Sequence, residues 1–107
     1  MNAEMLKGHL DLLLLAVLEP GPRHGYGVVE ALRARSDRAL DLPSGTVYPA
    51  LHRLERTGLI SGEWTIHNGR RRRVYALTAA GEARLVARRS DWRGFADVVE
   101  RVISVPS

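Results

Sequence analysis

No cysteine occurs in the 107 residues. Disulfides, thiolate metal sites and cysteine nucleophiles are therefore excluded, and a reducing, cytoplasmic setting suits the chain. Long apolar runs are missing as well. The longest, Leu12 to Leu18, falls far short of the ~20 residues that a membrane span requires. Nor does it read as the core of a leader, because Glu4 and Asp11 spoil a positively charged start and no small-residue cleavage site precedes Pro20-Gly21-Pro22. A buried helix is expected there, and no membrane partner. The histidines His9, His24, His52 and His67 are scattered without metal-ligand spacing. No Ser/His/Asp set, phosphate-cradling glycine loop or pair of carboxylates in an apolar setting can be traced. Neither an enzyme nor a metal or cofactor is expected.

What remains is a chain the size of one domain, 45% apolar, with 16 Lys and Arg against 12 Asp and Glu. The sequence pI of about 10.3 favours a polyanionic partner, and the placement of the charge decides how strongly. Neither repeats nor low-complexity tracts interrupt it, an arginine run aside.

A first helix is expected from Met5 to Leu18, apolar on nearly every side after Asp11, and ended by the prolines at 20 and 22. A second runs from His24 to Ser36 with Val28, Val29, Ala31 and Leu32 inward; Gly25 and Gly27 either weaken its first turn or admit a close backbone neighbour. After a polar connector, Asp37 to Pro43, a third helix spans Ser44 to Thr57, with Ser44 as N-cap and Gly58 as the terminating residue. Val47, Leu51 and Leu54 form its inner stripe. The opposite face holds Gly45, Thr46, Pro49, His52, Arg53 and Arg56, with Tyr48 at the margin: polar, basic and nearly free of acid. Pro49 removes one intrahelical bond, so a distorted start is expected.

Leu59 to His67 and Arg70 to Leu77 read as two strands joined by Asn68-Gly69, a strong hairpin signal because both residues tolerate positive φ. Such a turn pairs Trp64 with Arg73 and Ile66 with Arg71, and allows a cation–π contact. Thr78 then caps a last helix that reaches Ser104, with Glu82 suiting its N-terminal dipole. The order is that of a mostly α (α+β) winged helix-turn-helix, residues 5–78, followed by a dimerisation helix, residues 79–104.

On this reading the third helix enters the major groove of duplex DNA. Ser44, Thr46 and Tyr48 can bond phosphates or base edges, with Pro49 beside them. His52, Arg53 and Arg56 can read guanine or clamp phosphate. Arg70, Arg71, Arg72 and Arg73 follow the hairpin turn, where alternate side chains project and arginine forks match phosphate oxygens. Lys7 is a further phosphate candidate. In the last helix Leu85, Trp92, Phe95, Val99 and Val102, flanked by Ala96 and Ile103, make a heptad-like seam that Arg88 interrupts. Two large aromatics on a terminal helix of so small a domain call for a second copy of the chain, hence a homodimer. A winged-helix module docking an acidic protein and a non-specific DNA binder are the competing readings.

Several stretches resemble the PadR-like transcriptional regulators. These are Leu10 to Leu18 with Gly21-Pro22-Arg23-His24-Gly25-Tyr26, then Gly45-Thr46-Val47-Tyr48-Pro49-Ala50-Leu51-His52-Arg53-Leu54-Glu55 with Gly58-Leu59-Ile60, and the wing from Gly69 to Thr78. The resemblance as a whole covers about residues 5 to 103. The resemblance implies a dimeric repressor of the short branch with a single C-terminal helix, binding a palindromic operator. It places Tyr48 at the DNA groove and the arginines after Gly69 on the backbone. Some short members hold planar aromatic drugs between tryptophans of the last helix. Trp92 falls at that position, although a tryptophan in a seam needs no ligand. The short wing loop and the four arginines depart from the family pattern and favour backbone grip over base reading at the wing.

Overall fold

The computed structural model describes residues 6 and 8–104. Helix α1 spans Leu10–Leu18, strand β1 Arg23–His24, helix α2 Gly25–Arg35, helix α3 Ser44–Arg56, strands β2 and β3 Ile60–His67 and Arg70–Leu77, and helix α4 Ala79–Ile103. The single helix expected from Met5 is interrupted: Leu6 is helical, but Gly8 adopts a φ of 85° and, with His9, forms a turn before α1. Lys7 and Met5 lie outside the described residues.

The core forms where the apolar stripes of α1, α2 and α3 meet. Leu14, Leu15, Val28, Val47, Leu51 and Leu54 are almost completely buried, together with Tyr75 from β3 and Leu85 from α4. Each such side chain contributes about 1.5–3 kcal/mol of burial. No buried charged or polar residue dilutes this cluster among the described residues.

Helix α3 ends as the sequence suggests. The Gly58 N–H donates to the Glu55 carbonyl (3.1 Å) and the Leu59 N–H to the Leu54 carbonyl (3.0 Å), the paired bonds of a Schellman motif, with Gly58 at φ 79°. Its beginning differs. Pro43 occupies the cap position and Ser44 is the first helical residue, without a side-chain capping bond. The helix also runs through Pro49 unbroken. The carbonyl that proline leaves unpaired belongs to Gly45, which is exposed and reaches water, so little distortion is forced.

The hairpin has the expected register, Trp64 opposite Arg73 and Ile66 opposite Arg71, turning through Asn68 (φ 51°) and Gly69 (φ 75°). A third strand was not legible. Arg23 pairs with Tyr75 and His24 with Val74, giving an antiparallel sheet of order β1-β3-β2 that ties the start of α2 to the base of the wing.

Helix α4 is capped by Thr78, whose hydroxyl accepts from the Gly81 N–H (3.0 Å). It crosses α1 and is pinned at both ends of it: Arg88 donates to the Gly8 carbonyl (2.9 Å) and Arg89 bonds Glu19 (2.8 Å). That bond to Arg89 holds the Glu19 carboxyl below its ordinary value. Beyond this crossing α4 continues with its apolar side chains exposed, which stretches the molecule to 63 Å in its longest dimension.

Candidate nucleic-acid interface

Helix α3 lies between the wing and the start of α1, and its outer surface follows from helical spacing. Val47, Ala50, Leu51 and Leu54 face inward, which leaves Ser44, Gly45, Thr46, Pro49, His52, Arg53 and Arg56 exposed. None of these is acidic. The single acid of the helix, Glu55, is turned aside into an ion pair with Arg73 of the wing.

Between α3 and the wing runs an open groove of about 540 Å³, lined by Tyr48, His52 and Glu55 on one side and Trp64, Arg72, Arg73 and Tyr75 on the other. Its floor depends on Gly25. A Cβ at that position would overlap the Tyr48 ring at Cε1 and come within 2.9 Å of its hydroxyl oxygen. The glycine thus serves a close approach and seats Tyr48 against α2. Burial, followed by the charge of Arg72, lowers the pKa of His24, which lines the groove, from its ordinary value.

The four wing arginines divide into distinct environments. Arg70 and Arg71 are exposed at the tip, whereas Arg72 and Arg73 are half-buried. The Arg71 guanidinium lies 4.7 Å from the centroid of Trp64 and that of Arg73 5.3 Å, two cation–π contacts on one ring. Glu55 raises the pKa of Arg73 and fixes it to α3. The Arg72 Nε is shielded from solvent without a hydrogen-bond partner among the described residues. On the far flank, Arg53 bonds Asp11 of α1 at 2.7 Å.

The structure therefore brings Tyr48, His52, Arg72 and Arg73 to one groove, and leaves Ser44, Thr46, Pro49 and Arg56 exposed on α3 and Arg70 and Arg71 exposed at the wing tip, outside its lining. Arg53 points to the other edge of the α3 surface. Sequence reasoning missed Asp11 and Glu55, which engage arginines 42 and 18 residues away; no periodicity links such distant positions. No group of His, Asp and Glu able to hold a metal occurs among the described residues, and no helix there is long and apolar enough to cross a membrane.

On α4, Trp92 (44% exposed), Phe95 (60%), Val99, Val102 and Ile103 stand open, with Ala96 half-buried beside them and Val98 adding to the surface. Leu85, expected in the same seam, is instead 1% exposed within the core of its own chain, because α4 is still packed on the body at that point. The Trp92 ring meets His9 edge-on at 5.1 Å. Shallow cavities of about 190 and 460 Å³ flank it, both lined by His9 and Leu12.

Three packed helices with an arginine-tipped hairpin beside the exposed surface of the third define a winged helix-turn-helix domain. The profile of the transcriptional regulator PadR-like family matches residues 14–87, and the chain belongs to that family, whose members are transcriptional regulators and not enzymes. It is 43% identical over 81 residues to transcriptional regulator Rv3488 of Mycobacterium tuberculosis, a match that covers 76% of this chain and 60% of that protein. A transcriptional regulator from Clostridium thermocellum shares the fold with a TM-score of 0.87 at 23% identity, over 97% of this chain and 99% of that one. PadR of Bacillus subtilis, solved in complex with operator DNA, superposes with a TM-score of 0.67 at 25% identity, over 78% of this chain and 45% of that one.

Proposed function

We propose that the protein is a homodimeric, sequence-specific repressor that binds a palindromic operator through α3 and the wing. The observation that carries this reading is the shared groove: Tyr48 and His52 of α3 face Arg72 and Arg73 of the wing across one cleft, and its one acid, Glu55, is paired with Arg73. Residues 5–78 form the DNA-binding unit and residues 79–104 pair two copies. Ser44, Thr46, Tyr48, Pro49, His52, Arg53 and Arg56 meet the major groove, while Arg70 to Arg73, together with Lys7, hold phosphates. Dimers of this kind read half-sites about 34–36 Å apart. The B. subtilis relative bound to operator DNA supports the DNA partner, and the open apolar side of α4 supports a second copy.

A planar aromatic effector seated beside Trp92 releases the operator. It does so by preferring a dimer in which the two copies of α3 no longer match the half-sites. The cavities along Trp92 and its partner ring His9 support this step. Repression by occlusion and release by such an effector are one cycle, and its DNA step is tested first.

Selection from a random duplex pool should enrich a palindrome bound at least ~10³-fold more tightly than random sequence. Failure to enrich leaves a non-specific binder or a protein-docking module. Alanine at both Arg70 and Arg71 should weaken binding to selected and random duplexes alike. It should also flatten the dependence of log K on log salt by about 2 per subunit. An unchanged slope removes the wing from the contact surface.

A further inference from the structure

Arg53 is the one member of the exposed α3 surface that an acid of another element holds among the described residues. The Arg53–Asp11 pair is 2.7 Å long and lies at the edge of that surface, with both side chains partly open to water. Asp11 is not placed there casually. It occupies the first turn of α1, where a negative charge is favoured by the helix dipole, and the start of α1 is tied to α4 by the bond from Arg88 to the Gly8 carbonyl. Gly8, Asp11, Arg53 and Arg88 line one small cavity at this corner. The carboxylate is therefore held by the fold against the arginine.

We propose that Asp11 determines the sequence specificity of the DNA-binding surface by acting through Arg53; this inference rests on the DNA-binding reading above. Phosphate contacts carry no sequence information, whereas a guanidinium fork on a guanine edge does. A free arginine beside duplex DNA finds a phosphate on any sequence. Arg53 is instead engaged by a carboxylate that competes with phosphate, and the pair uses one nitrogen of a group with five N–H donors. A base edge can take the remaining donors without breaking the pair. Asp11 thus withholds Arg53 from random DNA and keeps its fork aimed where a correct base pair can meet it. It is a positioning residue, and the contact to DNA is made by Arg53.

The test uses the full chain and a duplex selected by it from a random pool. Asp11→Asn, nearly the same shape, should tighten binding to random duplex about three- to fivefold, the upper part of the range for a solvent-exposed ion pair. Binding to the selected duplex should be essentially unchanged, so the preference ratio falls by the same three- to fivefold. Simple removal of a negative charge strengthens binding to every duplex equally, partial unfolding weakens binding to every duplex equally, and both leave the ratio alone. The decisive comparison is made in an Arg53→Ala background, where Asp11→Asn should no longer move the ratio. A ratio unchanged by Asp11→Asn, or changed equally with and without Arg53, overturns the inference while leaving the DNA-binding function intact. If Asp11→Asn does not fold, Arg53→Lys, which keeps the charge and loses the fork, must lower the ratio in its place. Failure of the wild-type chain to select any duplex overturns the function itself, and this inference with it.

Discussion

Replacing Gly81 with alanine should lower the stability of the domain by about 3 kcal/mol, at the upper end of what overpacking costs. Gly81 sits in the first turn of α4, buried against the junction of α3 and β2. A Cβ there would overlap the Leu59 carbonyl oxygen and lie 3.0 Å from its carbon. Neither backbone can yield easily. The Leu59 carbonyl accepts from the Thr78 N–H (3.2 Å), the Thr78 hydroxyl donates to the Gly58 carbonyl (2.6 Å), and the Leu59 N–H closes the end of α3. To admit a methyl group α4 must lift, which breaks these bonds and draws Leu85 out of the core. The thermal midpoint should fall by roughly 10–20 °C at matched protein concentration. Gly94, in the same helix, is the control: nothing lies within 4 Å of its Cβ position, so alanine there should stabilise by up to ~1 kcal/mol. Equal midpoints for the two variants would mean that α4 does not rest on Leu59.

That contrast marks what the sequence can convey. Gly81 and Gly94 look alike in it, two helix-weakening residues, and only the neighbour of the first distinguishes them. Features set by local chemistry were legible: the turn at Asn68-Gly69 fixes the pairing of Trp64 with Arg73, since a slip of one residue would exchange the two faces of the wing. The stop at Gly58 and the cap at Thr78 were legible for the same reason. Features that depend on where elements meet were not. Strand β1 exists only because the edge of β3 passes Arg23 and His24. Leu85 satisfies the same seam spacing as Trp92 yet belongs to the core, because periodicity does not say where a helix leaves the body. The two ion pairs flanking α3 needed the packed structure to bring Glu55 to Arg73 and Asp11 to Arg53. The candidate DNA surface was thus visible as a list of cations, while the acids that restrain two of them were not.

Aspartate at both Val99 and Val102 should separate the proposed dimer and reduce binding to a palindrome selected by the wild-type chain by at least ~100-fold. Both side chains are open in the single chain, Val99 at 36% and Val102 at 76%, and neither belongs to the buried core, so a small effect on folding is expected. Asp and Val have similar helix propensities, and α4 itself persists. In a paired assembly the new carboxylates would be withdrawn from water into an apolar seam, unpaired and facing their symmetry mates, a cost of several kcal/mol per charge. Sedimentation at micromolar concentration should then report a monomer. Binding two half-sites through one rigid dimer makes the second contact intramolecular, an advantage of about 10²–10⁴ that a monomer forfeits. Binding to random duplex, carried by each subunit's own arginines, should fall far less. A double variant that sediments as a dimer would place the subunit interface elsewhere. One that is monomeric yet binds the palindrome as before would show that each subunit reads its half-site alone, and that α4 has no part in operator choice.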